Sequence, residues 1–86
     1  MSRPRDDALI NAFALVLRQA RLSSGLTQEE LAHRAGIDRT FVGLLESGKR
    51  QPTLSVISAL AHVVGRTPES LVAKARQLSS GACVVP

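Results

Sequence analysis

The sequence has little of what most catalytic and metal-binding sites are built from. Its 86 residues include one cysteine, Cys83, and two phenylalanines, with neither tryptophan nor tyrosine. A single cysteine excludes an intrachain disulfide, and His33 and His62 are too far apart in sequence to give zinc-ligand spacing. There is no Ser-His-Asp, Cys-His or paired-carboxylate spacing. We therefore predict a protein that is not an enzyme and needs no cofactor or metal.

Long apolar runs are also missing. A helix that spans a bilayer needs roughly 20 consecutive apolar residues, and the sequence contains no such run. The first seven residues, MSRPRDD, lack the apolar segment of a secretory signal. These absences predict a cytoplasmic protein with no membrane partner.

Aliphatic side chains and basic charge are what the sequence does contain. Hydrophobic residues make up 44% of the chain but aromatic residues only 2%, so the core must be aliphatic, which favours helices over sheets. Eleven Lys and Arg against seven Asp and Glu give a net charge of +4. That balance suits a polyanionic partner, although a basic surface kept for solubility is the alternative. The length predicts one domain.

Glycines and capping residues divide the chain into five predicted helices. The glycines expected at helix ends are Gly25, Gly36, Gly48 and Gly65, and the caps expected to follow them are Thr27, Asp38, Thr53 and Thr67. The helices are expected at about 7–24, 27–35, 39–47, 54–64 and 68–77. This pattern predicts an all-α fold, a compact five-helix bundle spanning 7–78. Residues 1–6 and 79–86 lack periodic patterning and are expected to be a flexible arm and a flexible tail.

Apolar residues recur at helical spacing within these segments. The stripe of the first helix comprises Leu9, Phe13, Val16, Leu17 and Ala20. The stripe of the fourth comprises Leu54, Ile57, Leu60, Ala61 and Val64. Both stripes are expected to face a common core.

The segment LRQARLSSGLTQEELAHRAGIDRTFVGLLESGKRQP, Leu17 to Pro52, resembles the helix-turn-helix domain shared by phage repressors and the XRE family of bacterial transcription regulators. The specific elements are GLTQEELA, an AGI turn and ESGKRQP. The segment IDRTFVGLLE is most similar to the small controller proteins of restriction-modification systems. Two short helices joined by a three-residue turn containing Gly are what a helix-turn-helix requires, although the turn alone also fits a generic αα-corner. The resemblance covers roughly residues 12–65 and implies binding to double-stranded DNA.

The third predicted helix carries most candidate base-reading residues. At 100° per residue, its core side holds Val42 and Leu45. Arg39, at the leading edge of the outer side, can donate two hydrogen bonds to guanine O6 and N7, and Thr40 can bond a base or a phosphate. We assign base reading to Arg39, Thr40, Phe41, Gly43, Leu44 and Arg50.

Three of these residues have two interpretations each. Phe41, where related proteins often have Tyr, is either a core plug or a contact to sugars and thymine methyl groups. Leu44 either contacts a thymine methyl group or is an apolar residue that the core leaves partly uncovered. Gly43 costs a helix interior about 0.5 to 1 kcal/mol relative to alanine. We expect it to allow close approach to DNA or to a neighbouring helix, and tolerance of a small residue is the alternative.

Phosphate contacts are expected to flank this helix. The candidates are Thr27, Gln28, Arg34, Ser47, Lys49 and Gln51. Gln28 begins the second helix, where free N–H groups attract a phosphate, and the resemblance implies that its amide anchors one. For Arg34 a solvated-face role is an equal alternative. The resemblance also implies an ion pair between Arg21 and Glu46 that ties the first helix to the third and has a structural role.

One recognition helix contacts only a few base pairs, so useful specificity predicts a homodimer on a palindromic operator with half-sites about 34 to 36 Å apart. The interface is expected at Val63, Leu71, Val72, Ala75 and Leu78, with the tail residues Val84 and Val85 contributing. The alternative is that these residues cap their own core. No small-molecule effector is expected. The leading hypothesis is a sequence-specific transcription regulator, and the alternative is an antitoxin-like protein that binds a toxin partner and autoregulates its operon.

Overall fold

A computed structural model of the chain describes residues 5–81, and within that range the ordered elements are helices joined by turns. The helices are α1 (Asp7–Ser23), α2 (Gln28–Ala35), α3 (Arg39–Glu46), α4 (Leu54–Val63) and α5 (Pro68–Gly81). The predicted all-α fold is therefore confirmed for these residues. None of the five helices combines the length and the apolar character that crossing a membrane requires.

Threonine side chains cap the starts of three helices. Thr27 Oγ1 accepts a hydrogen bond from the Glu30 N–H at 3.1 Å, and the Glu30 carboxylate accepts one from the Thr27 N–H at 2.9 Å, which completes a capping box. Thr53 and Thr67 each accept a hydrogen bond from the backbone N–H three residues further on. Asp38 is the N-cap residue of α3 as expected, with the extended backbone of a cap, but its side chain accepts no hydrogen bond from the helix, so that part of the prediction is wrong.

The first helix begins from residues that we had expected in a flexible arm. The Asp6 carboxylate accepts a hydrogen bond from the Leu9 N–H at 2.9 Å and caps α1. Arg5 Nε lies 2.7 Å from Asp7 Oδ1. Residues 5 and 6 therefore take part in starting the helix, and the rest of the expected arm, residues 1–4, lies outside the described range.

The last helix continues beyond its expected end near Gln77 and reaches Gly81. The Ser79 and Ser80 hydroxyls both donate to the Arg76 carbonyl, at 3.0 and 2.8 Å. No glycine or proline precedes Gly81 in this stretch, so nothing in the sequence stops the helix earlier. The flexible tail expected from residue 79 onward is therefore helical at its start.

An aliphatic core lies between the helices. α5 packs along α1, while α2 packs against α3 and α4. The largest side chains with almost no exposed surface are Leu17, Leu31, Leu45, Leu60, Leu71 and Val42. Burying such a side chain stabilises the fold by roughly 1.5 to 3 kcal/mol, so α3 is fixed to the domain through Val42 and Leu45.

Two residues of the expected dimer surface lie inside this core. Leu71 is 1% exposed and Ala75 is 0% exposed, because both lie on the buried face of α5, four residues apart. The assignment of Leu71 and Ala75 to a dimer interface is therefore wrong. Val72 and Leu78 are 37% and 49% exposed, and Val63 is half-buried against the core. Val84 and Val85 lie outside the described residues.

Leu54 was expected to be buried but lies on the surface. It was assigned to the buried stripe of α4 but is 84% exposed, whereas Ile57, Leu60 and Ala61 are buried. Leu54 is the first residue of α4, and side chains on a helix point back toward its N-terminus. Its side chain therefore lies beside Val72 at the rim of a surface groove and not beneath another helix.

Candidate nucleic-acid interface

A tight turn at residues 36–38 joins α2 to α3. Gly36 has φ +75°, a left-handed conformation that glycine adopts without steric cost, and the Ile37 N–H donates to the Ala32 carbonyl at 3.0 Å. The Ile37 side chain packs against the core. Two short helices joined in this way form a helix-turn-helix, with α3 as the second helix.

The first residues of α3 face solvent. Arg39 and Thr40 are exposed, while Val42 and Leu45 on the opposite side are 0% and 1% exposed. The two ion pairs found among residues 5–81 are Arg5–Asp7 and Arg21–Glu46, so neither involves Arg39. Its guanidinium therefore keeps its donors available to an external partner.

Two apolar residues lie at the border of this outer face. Phe41 is half-buried and packs against the core, which is the core-plug interpretation, but part of its ring remains exposed. Leu44 is also half-buried. Each can offer only part of its surface to the methyl group of a thymine.

Gly43 leaves an open spot on α3. Apart from its two chain neighbours and the adjacent backbone of α3, a Cβ placed at Gly43 would meet no atom of the described chain within 4 Å. Close approach to a neighbouring helix of the same chain therefore does not explain the glycine. What remains from the sequence-based interpretations is close approach to an external partner or simple tolerance.

The turn after α3 holds its polar residues on a fixed backbone. The N–H groups of Lys49 and Arg50 both donate to the Leu44 carbonyl, at 3.0 and 3.3 Å, and the side chains of Lys49, Arg50 and Gln51 are exposed. The Ser47 hydroxyl also donates to Leu44, at 3.1 Å. Its hydrogen is therefore already used, and a Ser47–phosphate contact would require this bond to break.

Arg21 and Glu46 join α1 to α3 through a bidentate ion pair. Arg21 Nε lies 2.7 Å from Glu46 Oε2 and Nη2 lies 3.0 Å from Oε1, while Nη1 donates to the Leu26 carbonyl at 2.9 Å. Arg21 is only 8% exposed. The hydrogen bond to Glu46 raises the pKa of Arg21 above its ordinary value despite the opposing effect of burial, so the Arg21 guanidinium remains charged.

Gln28 is attached to this ion pair, a contact that sequence reasoning missed. Its Nε2 donates to Glu46 Oε1 at 3.1 Å. Because an ionised carboxylate only accepts hydrogen bonds, the nitrogen side of the Gln28 amide must face Glu46. The second N–H of the same group stays available, which is compatible with the phosphate role assigned to Gln28.

The other two phosphate candidates lie on α2 or at its start. Thr27 is exposed, and as the N-cap its hydroxyl oxygen already accepts the Glu30 N–H. Its hydroxyl hydrogen remains a potential donor. Arg34, near the end of α2, is exposed. Its position fits a phosphate contact and a solvated face equally.

Comparison with known proteins supplies a family for this arrangement. The family model described as "Helix-turn-helix" matches residues 17–71. An HTH-type transcriptional regulator of Methanothermobacter thermautotrophicus is 41% identical over 51 residues, which are 59% of this chain and 74% of that protein. Control protein C.BamHI of Bacillus amyloliquefaciens is 34% identical over 61 residues, 70% of this chain and 75% of that protein. The crystal structure of the restriction-modification controller protein C.AhdI from Aeromonas hydrophila has a TM-score of 0.70 and 39% identity, covering 72% of this chain and 94% of that one.

Proposed function

The chain belongs to the helix-turn-helix family of transcription regulators, and we propose that it binds double-stranded DNA sequence-specifically, as a homodimer on a palindromic operator. The observation that carries the proposal is the division of α3 into two faces. One face is anchored in the core by Val42 and Leu45, and the other presents Arg39 and Thr40 to solvent. A helix held in this way can enter the major groove without unfolding any part of the domain.

Base reading begins at Arg39. Its guanidinium can form two parallel hydrogen bonds with guanine O6 and N7, a pairing that discriminates against other bases by about 1 to 3 kcal/mol. Thr40, next to it and also exposed, can bond a base or a phosphate. Arg50, held by its backbone to the end of α3, extends the readable site beyond the helix.

Phosphate contacts set the register in which these residues meet the bases. We propose that Gln28 and Thr27 contact the backbone on one side of α3 and that Lys49 and Gln51 contact it on the other. The net charge of +4 supports attraction to DNA over the whole domain. These contacts carry no sequence information, so they govern affinity and salt dependence.

The dimer interface that we propose differs from the one expected from the sequence, because Leu71 and Ala75 are buried in the core. An apolar groove of about 240 Å³ lies between α1, α4 and α5, and Leu9, Pro52, Leu54 and Val72 are among the residues that line it. Leu54 is 84% exposed and Val72 is 37% exposed, which is unfavourable for large aliphatic side chains that share one surface. Covering this surface with the same surface of a second copy would give a two-fold symmetric dimer.

Similarity to C.BamHI and C.AhdI supports the narrower proposal of a restriction-modification controller protein. Control would then come from protein concentration, dimerisation and the arrangement of operators, with no small-molecule effector. Binding, and not catalysis, is the activity we infer. A regulator of this kind works where the DNA is, which we propose to be the cytoplasm.

The proposal is tested by selecting duplexes from a random DNA pool with the full chain. We expect an enriched palindrome whose half-site centres lie about 34 to 36 Å apart. Binding to that duplex should weaken by ~10³ to 10⁵ between 50 and 200 mM salt if ~6 to 10 phosphates are contacted. A pool with no enriched sequence, or binding that salt leaves unchanged, would refute the proposal.

A further inference from the structure

A surface depression lies where α1, α2 and α3 meet. It has a volume of about 190 Å³ and is lined by Arg18, Arg21, Gln28, Gly43, Glu46 and Ser47. Arg18, on α1, was absent from every group of candidate site residues and lies outside the helix-turn-helix itself. The depression is large enough for one phosphate group together with a few water molecules.

The charges around this depression do not cancel. Arg21 and Glu46 neutralise each other through their bidentate contact. Arg18 is exposed, and no ion pair among residues 5–81 engages it. The lining therefore has one positive charge that is not neutralised, on a guanidinium whose planar fork matches two oxygens of a phosphate.

A second donor, on another helix, also lines the depression. Because Glu46 fixes the nitrogen end of the Gln28 amide, the remaining N–H of Gln28 is held in one orientation. Arg18 from α1 and Gln28 from α2 thus offer donors to one shared space. Ser47 does not add a donor, since its hydroxyl already donates to the Leu44 carbonyl.

Gly43 connects this depression to the reading face. It lies on α3 between the residues assigned to base reading, and a Cβ placed there would meet no atom of another helix within 4 Å. The missing side chain leaves the depression open on the side where DNA would lie. A strand whose bases meet α3 can therefore bring its backbone toward Arg18.

We propose that this depression binds one backbone phosphate of the DNA, with Arg18 as its cationic ligand and Gln28 as its oriented partner. The inference rests on the proposed function and extends it, because it brings α1 into the contact surface. In a homodimer each copy contributes one such site. Arg18 acts on affinity and its salt dependence and does not change which bases are preferred.

The test compares Arg18→Ala with Arg66→Ala in the full chain, on a duplex selected by the unmodified protein. Arg66 is exposed beside Lys74 on another part of the surface, so its replacement removes the same charge without touching the depression. We expect Arg18→Ala to reduce the slope of log affinity against log salt by about 1.8, or 0.9 for each copy, and Arg66→Ala to leave it nearly unchanged. The loss of affinity caused by Arg18→Ala should then shrink by ~10-fold between 50 and 200 mM salt.

Equal slopes for the two variants would overturn the phosphate site while leaving the proposed function intact. Absence of salt-dependent DNA binding by the unmodified chain would overturn both. A changed base preference in Arg18→Ala would also overturn the proposal, since a phosphate ligand cannot alter which sequence is selected. Because Arg18 is exposed, both variants are expected to keep the helical circular dichroism of the unmodified protein.

Discussion

Nε2 of Gln28 lies 3.1 Å from Oε1 of Glu46, the same carboxylate oxygen to which Arg21 donates. The ion pair that fixes α3 to α1 therefore also orients an amide assigned to DNA phosphate binding. The Glu46 carboxylate therefore contributes both to the stability of the fold and to the proposed DNA binding. Variants that change the pair should separate the two effects.

Arg21→Ala should destabilise the protein by about 3 to 5 kcal/mol, because it leaves the Glu46 carboxylate, whose side chain is 4% exposed, without a positive charge beside it. Chemical denaturation followed by circular dichroism measures this change. Replacing both residues, as Arg21→Met with Glu46→Leu, should recover most of the stability, since apolar side chains of similar size avoid the desolvation cost. DNA affinity should stay reduced in the double variant, because Gln28 has lost its acceptor. Unchanged stability in Arg21→Ala, with DNA binding abolished, would contradict the structural role.

Gly43→Ala should raise stability and weaken DNA binding. Alanine is favoured over glycine inside a helix by about 0.5 to 1 kcal/mol, and the added Cβ meets no atom of another helix within 4 Å. The same Cβ would hold the DNA backbone away from α3. Thermal unfolding and operator titration measure the two effects in one preparation.

A control for Gly43→Ala is Ser58→Ala, an exposed position inside α4. It should raise stability by a few tenths of a kcal/mol through helix propensity alone and leave DNA affinity unchanged. If Gly43→Ala also leaves DNA affinity unchanged, Gly43 is a tolerated small residue and not a point of close approach.

Local signals in the sequence were sufficient to locate where the helices begin, to within one residue. Thr27 with Glu30 three residues later forms a capping box within four residues. Gly36 ends α2 because glycine readily adopts the left-handed backbone conformation. The same kind of signal was present at Asp6, directly before the periodic stretch of α1, but was assigned to the flexible arm. The helix positions thus depend on short-range interactions that the sequence indicates without knowledge of the fold.

Contacts between distant parts of the chain were harder to predict. Nothing in the sequence indicates that Gln28 and Glu46, 18 residues apart, share a hydrogen bond. Likewise, the apolar residues of α5 show that one face is buried but not what covers it. Leu71 and Ala75 therefore fitted a partner subunit as well as the domain's own core, and only the packing of α5 on α1 decides for the core.

Arg39→Ala should relax the preference for one guanine in each half-site. Loss of a bidentate contact is expected to cost about 1 to 3 kcal/mol against the preferred duplex and much less against duplexes with another base at that position. Repeating the selection from random DNA with the variant measures this. Arg34→Ala is the matched control, because it removes one exposed arginine from α2 and should leave the preferred sequence unchanged. Uniform weakening by Arg39→Ala would make Arg39 a phosphate contact.

Val72→Glu should convert the proposed dimer to monomers. A carboxylate in the apolar surface formed with Leu54 must be desolvated in each copy, which should raise the dimer dissociation constant by at least ~10-fold, or ~1.4 kcal/mol. Sedimentation equilibrium measures the constant. Leu15→Glu is the control, since Leu15 is 56% exposed on α1 and does not line the groove. Dimers of equal strength in the two variants would show that the interface lies elsewhere.

The Glu30 carboxylate should make the stability of the domain depend on pH in the acid range. Hydrogen bonds with Thr27, first to its backbone N–H and then to its side chain, hold the pKa of Glu30 below its ordinary value. The ionised carboxylate therefore stabilises the fold above the unfolded-state pKa, about 4.3, and this contribution is lost as the pH falls through the lower folded-state pKa. Glu30→Gln keeps a side chain that can complete the capping box but cannot ionise. The denaturation midpoints of the unmodified protein and of Glu30→Gln should approach each other as the pH falls from about 5 to below the folded-state pKa of Glu30. A difference that stays constant with pH would show that ionisation of Glu30 does not affect the stability of the cap.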